Sequence, residues 1–179
     1  MSAGSVVRDV AETDHVRGSA DAPVTLIEYG DFECPHCGAA FPIVHDVIDR
    51  MGTDLRFVFR HFPIQESHPH AMHAAQAAEA AGAQGKFWEM HDQLFTHQHA
   101  LADEDLGGYA GAIGIDGERV RKELEAGTYE NKVRADFMGG VRSGVNGTPT
   151  FFINGTRFDG NWSSAETFVE ALRAGAGTP

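Results

Sequence analysis

The feature that most restricts the fold is a Cys-Pro-His-Cys motif between an apolar run and an amphipathic helix. Cys34 and Cys37 are the only cysteines in the 179 residues. Residues 24–30 are rich in β-branched and aliphatic side chains, which predicts a buried strand leading towards Cys34. Pro35 suits the first turn of a helix, and apolar residues recur at helical spacing from there to Met51. The motif is therefore predicted to lie at the N-terminus of a helix.

The segments after this helix predict an α/β fold. Residues 54–62 alternate like a second strand, so strand, helix and strand form a βαβ unit with a parallel strand pair. Residues 67–143 have the pattern of a series of helices. The Asn154-Gly155 dipeptide predicts a hairpin between two short strands, followed by a last helix. The order βαβ, helical block and ββα predicts a thioredoxin fold with a helical insertion between its halves.

The length of the chain suits one domain with room for one insertion. We expect a single domain over residues 1–179, with the helical insertion at about 65–145. The polar N-terminal arm is predicted to contain one short strand around residues 6–10. Flexible ends are predicted at residues 1–5 and 175–179.

The charge of the chain argues against several partners. Acidic residues outnumber basic ones by 26 to 14, giving a formal net charge of −12. Such a surface repels phosphate backbones, so no nucleic-acid partner is expected. No apolar run approaches the roughly 20 residues that span a bilayer, so no membrane insertion is expected. The N-terminus lacks the pattern of a secretory signal, which predicts a cytoplasmic protein, or an extracytoplasmic one if a leader has been removed.

The cysteine pair has the requirements of thiol–disulfide exchange, which are an attacking thiolate, a second thiol and access. Cys34 is predicted near the helix cap, where unpaired N–H groups and the helix dipole favour its thiolate. Cys37 lies one turn inward and can close the disulfide. Protonated His36 adds positive charge beside the reduced form, whereas Asp31 and Glu33 oppose it. We therefore predict a redox-active Cys34–Cys37 disulfide that needs no cofactor.

A zinc site is the first alternative for the cysteine pair. Two cysteines supply half of a zinc site, and His68, His70 and His73 are close enough in sequence to offer nitrogen ligands. Zinc-binding pairs usually lie in tight knuckles, not between a buried strand and a long helix. Redox exchange is therefore favoured, and no metal is predicted. A second alternative is a fold retained only for binding.

Four segments resemble the bacterial DsbA-like proteins of the thioredoxin family. They are residues 24–37, 59–63, 68–71 and 147–155, and the resemblance covers about residues 20–172. Similar domains occur as free proteins and as attachments to bacterial sodium/proton antiporters. The combination of motifs is specific for the fold and the dithiol, and much less specific for the pathway.

The resemblance implies a role for five residues. Cys34 matches the exposed nucleophile, and Cys37 matches the resolving thiol. Pro149 matches a proline after a cis peptide bond, where the Thr148 backbone is expected to pair with an extended substrate. Glu28 matches the buried acid beneath the active site. Burial is expected to raise the pKa of Glu28 so that it exchanges a proton with Cys37. The alternative is that Glu28 lies on the solvent-exposed edge of the strand.

These residues predict a thiol–disulfide oxidoreductase whose substrates are protein thiols and disulfides. A lowered pKa of the nucleophile stabilises the reduced pair and makes the disulfide a stronger oxidant, which favours a disulfide donor. One alternative is a cytoplasmic reductase or isomerase that uses the same pair. The other is a redox-sensing domain that binds partners without turnover. A partner that recycles the pair is expected, and its identity is open.

Overall fold

The computed structural model describes residues 4–177, and over this part of the chain it has five β-strands and seven α-helices. The strands are β1 (His15–Arg17), β2 (Val24–Gly30), β3 (Leu55–His61), β4 (Thr150–Ile153) and β5 (Thr156–Phe158). The helices are α1 (Pro35–Met51), α2 (Ala71–Gly82), α3 (Phe87–Thr96), α4 (Asp103–Ala112), α5 (Gly117–Glu125), α6 (Glu130–Arg142) and α7 (Ala165–Ala176). This is the predicted order of a thioredoxin fold with a helical insertion.

The chain is divided into two compact units where the sequence predicts one domain. The first, here called the sheet unit, contains residues up to 30, residues 39–60 and residues from 138 onward. The second, here called the helical unit, contains residues 31–38 and 61–137. Most of the helical insertion expected at about 65–145 lies in the helical unit, and the segment around the two cysteines belongs to the same unit.

The sheet unit is built on a five-stranded sheet with the order β1-β3-β2-β4-β5. The neighbours β2 and β3 are joined through α1, as the predicted βαβ unit requires. The pairs β1–β3, β2–β4 and β4–β5 are antiparallel. Because β2 has a strand on each side and packs against α7, almost all of its residues are buried. A strand that is buried on both faces is expected to be rich in apolar residues, as β2 is.

The hairpin between β4 and β5 has the geometry predicted from Asn154-Gly155. Asn154 and Gly155 have φ angles of 47° and 83°, and positive values at both positions are what a type I′ turn requires. The backbone N–H of Asn154 donates to the Thr25 carbonyl at 2.9 Å, and its side-chain oxygen accepts from the Thr25 N–H at 2.8 Å. These two bonds hold the turn against the start of β2.

The strand predicted around residues 6–10 is wrong, since the strand of the N-terminal arm is β1 at His15–Arg17. The N–H of Val6 bonds to a turn carbonyl, and that of Val7 bonds to the Ser143 hydroxyl. No ladder forms along residues 6–10 because these acceptors do not come from a neighbouring strand.

Parts of both ends that are predicted to be flexible have regular contacts or secondary structure. Ser5 forms an isolated β-bridge with Thr156, and α7 continues to Ala176. Residues 1–3 and 178–179 lie outside the described part of the chain.

The helical unit is organised around α2, which packs against α3, α4 and α5. Alanine occupies most of the buried positions of α2, and such small side chains allow close approach of neighbouring helices. The helix begins at Ala71, four residues after the predicted start at Ser67. The physical reason is Pro69, because the residue before a proline is disfavoured in the helical region.

Within the sheet unit, the buried Arg60 of β3 binds the N-terminal arm. The Arg60 guanidinium donates two bonds of 2.9 Å to the Asp14 carboxylate, and others to the carbonyls of Arg8 and Asp9 and to the Tyr29 hydroxyl. All five guanidinium N–H groups are thereby used. Burial alone raises the pKa of Asp14, but the bonds from Arg60 and from the backbone outweigh it and hold that pKa below its usual value.

Replacement of Arg60 by methionine is expected to destabilise the fold by about 3 to 5 kcal/mol, because it leaves the Asp14 carboxylate buried without its main counter-charge. Urea unfolding at neutral pH measures this loss. The difference from the wild type is expected to shrink as the pH falls through the lowered pKa of Asp14. Arg50→Met is the matched control, since Arg50 forms an exposed ion pair with Asp46. Equal shifts in the two variants would contradict the role of Arg60.

Candidate active site

The two cysteines lie at the N-terminus of α1, as the sequence predicts. Cys34 immediately precedes Pro35, the first residue of the helix, and Cys37 is in the first turn. The Cys34 carbonyl accepts a bond of 3.0 Å from the N–H of Gly38, and the Cys34 N–H donates to the Asp31 carbonyl at 3.2 Å. The helix dipole and the unpaired N–H groups of the first turn favour a thiolate at this position.

The expectation that Cys34 is an exposed nucleophile is wrong for this structure. Only 4% of Cys34 is exposed, and Cys37 is fully buried. The loop between α3 and α4 contacts the backbone of the motif. The side-chain amide of Gln98 donates bonds of 2.9 Å to the carbonyls of Phe32 and Cys34.

Gly38 makes room for this contact. A Cβ atom at Gly38 would collide with the side-chain amide of Gln98. Sequence reasoning assigned no role to Gln98, because the residue is uncharged and lies 64 positions away from Cys34. The only available signal was Gly38 itself, a glycine inside the first turns of a helix where glycine is disfavoured.

The buried carboxylate of Asp31 organises the segment before the motif. It accepts bonds of 2.8 Å from the N–H groups of Glu33 and Ile64 and from the Nδ1 atom of His68. The backbone N–H of Asp31 donates to the Cys37 sulfur at 3.5 Å. One residue therefore connects the resolving thiol with a histidine from the segment before α2.

The groups around His68 favour the protonated form of its imidazole. Burial lowers the pKa of His68, but the hydrogen bond to Asp31 and the negative charges of Asp31, Cys34 and Glu33 outweigh it and raise that pKa above its usual value. The sequence offers zinc binding, capping of a helix and catalysis as alternatives for His68. Its pairing with Asp31 was not predicted.

The second acid beside the motif is also bound to a histidine. The Glu33 carboxylate accepts bonds from the backbone N–H and the Nδ1 atom of His70 at 2.7 and 2.8 Å. His73 likewise bonds to Asp103 at 2.6 Å. The three histidines considered as zinc ligands thus each bond to a carboxylate. Asp31 and Glu33, the two acids expected to oppose the thiolate, are thus bonded to His68 and His70.

Aromatic rings anchor the motif on the side of Phe32. The buried ring of Phe32 lies 4.8 Å from that of Phe95, 5.7 Å from His91 and 6.0 Å from His61, measured between centroids. His61 itself is buried and bonds to Glu79 at 2.8 Å. Phe32 is therefore fixed by packing, while Gln98 holds the adjacent carbonyls.

A groove of about 380 Å³ opens beside the motif within the helical unit. It is lined by Glu33, Pro35, His70, Asp105 and residues 98–102. Its lining combines charged side chains with the apolar surface of the proline and of the loop. Glu33 and Pro35, the two neighbours of Cys34 in the sequence, place this groove beside the motif.

The other predicted site residues lie on both units. His36 is exposed in the first turn of α1. Glu28 is only 3% exposed on β2, so the inward position is confirmed and the solvent-exposed edge is wrong. In the sheet unit, the peptide bond between Thr148 and Pro149 is cis, and both residues are half-buried just before β4.

Comparison with known families defines the class of this protein. The thioredoxin family description matches residues 10–174, which is almost the whole chain. The chain therefore belongs to the thioredoxin family.

Solved structures place the fold among DsbA-like oxidoreductases. BdbD from Bacillus subtilis, in its oxidised form, is 25% identical with a TM-score of 0.83, covering 99% of this chain and 98% of that one. A thioredoxin-like oxidoreductase from Silicibacter pomeroyi is 25% identical with a TM-score of 0.82, covering 94% and 95%. MdbA, a thiol–disulfide oxidoreductase from Corynebacterium diphtheriae, is 21% identical with a TM-score of 0.71, covering 95% and 92%, and shows similarity of fold.

Curated relatives include much longer proteins named as antiporters. The Na(+)/H(+) antiporter NhaA 1 of Salinispora arenicola is 47% identical over 167 residues, which are 93% of this chain and 26% of the antiporter. The protein of the same name from Mycobacterium sp. strain KMS is 45% identical over 96% of this chain and 28% of its own length. This chain spans about a quarter of the length of these relatives. Within residues 4–177, no helix is both long and apolar enough to cross a membrane.

Removal of the Gln98 amide is expected to expose Cys34 and to cost about 1 to 2 kcal/mol of stability, because two hydrogen bonds are lost. In Gln98→Ala, the reduced protein should react several times faster with an aromatic disulfide reagent. Gly38→Ala should have the same effect, since its methyl group displaces that amide. Gln93→Ala, also at a half-buried glutamine, is the control. A wild-type reaction rate in Gln98→Ala would show that this side chain does not protect Cys34.

Proposed function

We propose that this chain is a thiol–disulfide oxidoreductase that passes the Cys34–Cys37 disulfide to protein thiols. The observation that carries the proposal is the position of both cysteines at the N-terminus of α1, with Cys37 in the first turn. This position favours the thiolate that exchange requires. Membership of the thioredoxin family and the similarity to solved oxidoreductases support the same chemistry.

The exchange moves two electrons from the client to the cysteine pair. A client thiolate attacks the Cys34 sulfur, which forms a mixed disulfide and breaks the Cys34–Cys37 bond. Cys37 leaves as a thiolate and takes up a proton. A second client thiolate then attacks the client sulfur of the mixed disulfide and releases Cys34 as a thiolate. The client dithiol is oxidised to a disulfide, and the Cys34–Cys37 disulfide is reduced to a dithiol.

The donor direction follows from stabilisation of the reduced form. Each factor that favours the Cys34 thiolate stabilises the dithiol relative to the disulfide, so the oxidised protein becomes a stronger oxidant. The N-terminus of α1 is one such factor. The exposed His36 is a second candidate, because a protonated imidazole in the first turn of α1 adds positive charge beside the reduced pair.

The contributions of Thr148 and Pro149 rest on the resemblance to DsbA-like proteins. We assign them to client binding, with the Thr148 backbone pairing with an extended client segment as an added strand. The partner that reoxidises the cysteine pair is part of the same proposal. The cytoplasmic location remains a prediction.

Replacement of Cys34 by serine is expected to abolish exchange, because the attacked sulfur is lost. Replacement of Cys37 by serine is expected to trap mixed disulfides, because no second thiol is left to release a client from Cys34. Refolding of a reduced client and reduction of insulin measure the activity, and mass spectrometry detects the trapped species. The unfolding midpoints of both variants show whether the fold is intact. Full activity of a folded Cys34→Ser protein would contradict the assignment of the nucleophile.

The reduction potential separates the donor from its alternatives. Equilibration with glutathione is expected to give a potential above about −200 mV, in the range of disulfide donors. A value near that of thioredoxin, about −270 mV, would support a reductase instead. No turnover of clients, with both thiols intact, would support a redox-sensing domain that only binds partners.

Glu28 is proposed as the acid that exchanges a proton with Cys37. Its carboxyl is buried on an otherwise apolar strand, and such a position is costly for an ionised group unless it is used or compensated. In Glu28→Gln, the pH dependence of Cys37 reactivity is expected to change, because the glutamine amide cannot take up or release that proton. An unchanged pH profile in a folded Glu28→Gln protein would remove this role.

A further inference from the structure

The half-buried imidazole of His68 is paired with the buried carboxylate of Asp31, next to the cysteine motif and within the helical unit. The distance between His68 Nδ1 and Asp31 Oδ2 is 2.8 Å, and the Asp31 side chain is fully buried. The same residue, Asp31, accepts the N–H of Cys34 at its carbonyl and donates its own N–H to the Cys37 sulfur. Both cysteines are thus bonded to one half of this pair.

The Asp31 carboxylate alone would oppose the thiolates. A buried negative charge beside the motif disfavours a second negative charge, and little water is present to screen it. The His68 imidazolium neutralises that charge. The negative charge of Cys34 is among the causes that raise the pKa of His68. The electrostatic attraction between two charges is reciprocal, so the imidazolium favours the Cys34 thiolate by the same energy.

We propose that His68, held in place by Asp31, is a positioning residue that supplies the positive charge stabilising the Cys34 thiolate of the reduced pair. This inference rests on the proposed exchange function. It adds a second cationic residue besides His36, contributed by the segment before α2. His68 takes no part in bond making, because the sulfur–sulfur exchange involves only the client and the two cysteines.

The charged groups around His68 define when this stabilisation operates. They are Asp31, Glu33 and Cys34, and Glu33 is itself bonded to His70. Because the pKa of His68 is raised above its usual value, the imidazolium persists to a higher pH than that of an ordinary histidine, and it is lost as the pH rises through that pKa. The contribution of His68 to the oxidising strength of the disulfide is therefore present below the pKa of His68 and is lost above it.

Replacement of His68 by glutamine tests the charge while keeping a donor for Asp31. At neutral pH, the equilibrium constant for oxidation of glutathione by the protein is expected to fall about tenfold, which corresponds to about one pH unit in the pKa of Cys34. The ultraviolet absorbance of the thiolate gives that pKa independently. At a pH well above the pKa of His68, the wild type and the variant should have the same potential.

Two further variants separate charge from structure. His73→Gln is the matched control, because His73 also bonds to a carboxylate, and that carboxylate, Asp103, is not among the groups that act on His68. It should keep the wild-type potential. His68→Arg keeps a positive charge and should retain most of the oxidising strength. A potential in His68→Arg as low as that in His68→Gln would overturn the proposal and leave His68 with a structural role.

The failures of the two proposals are distinguishable. A wild-type protein that exchanges no disulfide with glutathione or with clients would sink the proposed function itself. A wild-type protein that exchanges normally, together with a His68→Gln variant of unchanged potential and unchanged Cys34 titration, would sink only this inference.

Discussion

The structure around the cysteines depends on one buried carboxylate, that of Asp31. It accepts three N–H hydrogen bonds, from two backbone groups and one imidazole, so the turn between β2 and α1 has a single arrangement. Ordering such a turn costs conformational entropy, and charge-assisted hydrogen bonds are among the few local interactions strong enough to offset it. The position of Cys34 before the helix and the contact of Cys37 with the Asp31 N–H both follow from this arrangement.

Much of the fold was predictable because its elements carry strong local patterns. The apolar run of β2 reflects burial between two neighbouring strands, and Asn154-Gly155 specifies its turn through backbone conformation alone. The position of β1 was not predictable in the same way. A strand of three residues has too few positions for a periodic pattern, and its pairing with β3 joins residues far apart in the sequence.

The candidate site was only partly predictable, and the reason is again distance along the chain. Cys34, Cys37 and the start of α1 are encoded within a few residues, so the sequence was sufficient to locate them. The Gln98 amide and the His68 imidazole reach the motif from other segments, 64 and 37 positions away from their partners. No local pattern in the sequence records such long-range contacts. Glutamine and histidine are both common at protein surfaces, so neither residue type by itself predicts a contact with the cysteine motif.

The buried guanidinium of Arg60 has a consequence for the minimal unit that can fold. Its donors are satisfied by Asp14 and by the carbonyls of Arg8 and Asp9, so the acceptors come largely from the N-terminal arm. A shortened protein that began after Asp14 would leave a cation in the interior without its anion. The arm therefore forms part of the boundary of the hydrophobic interior, and residues 8–14 belong to the smallest segment that can satisfy this guanidinium.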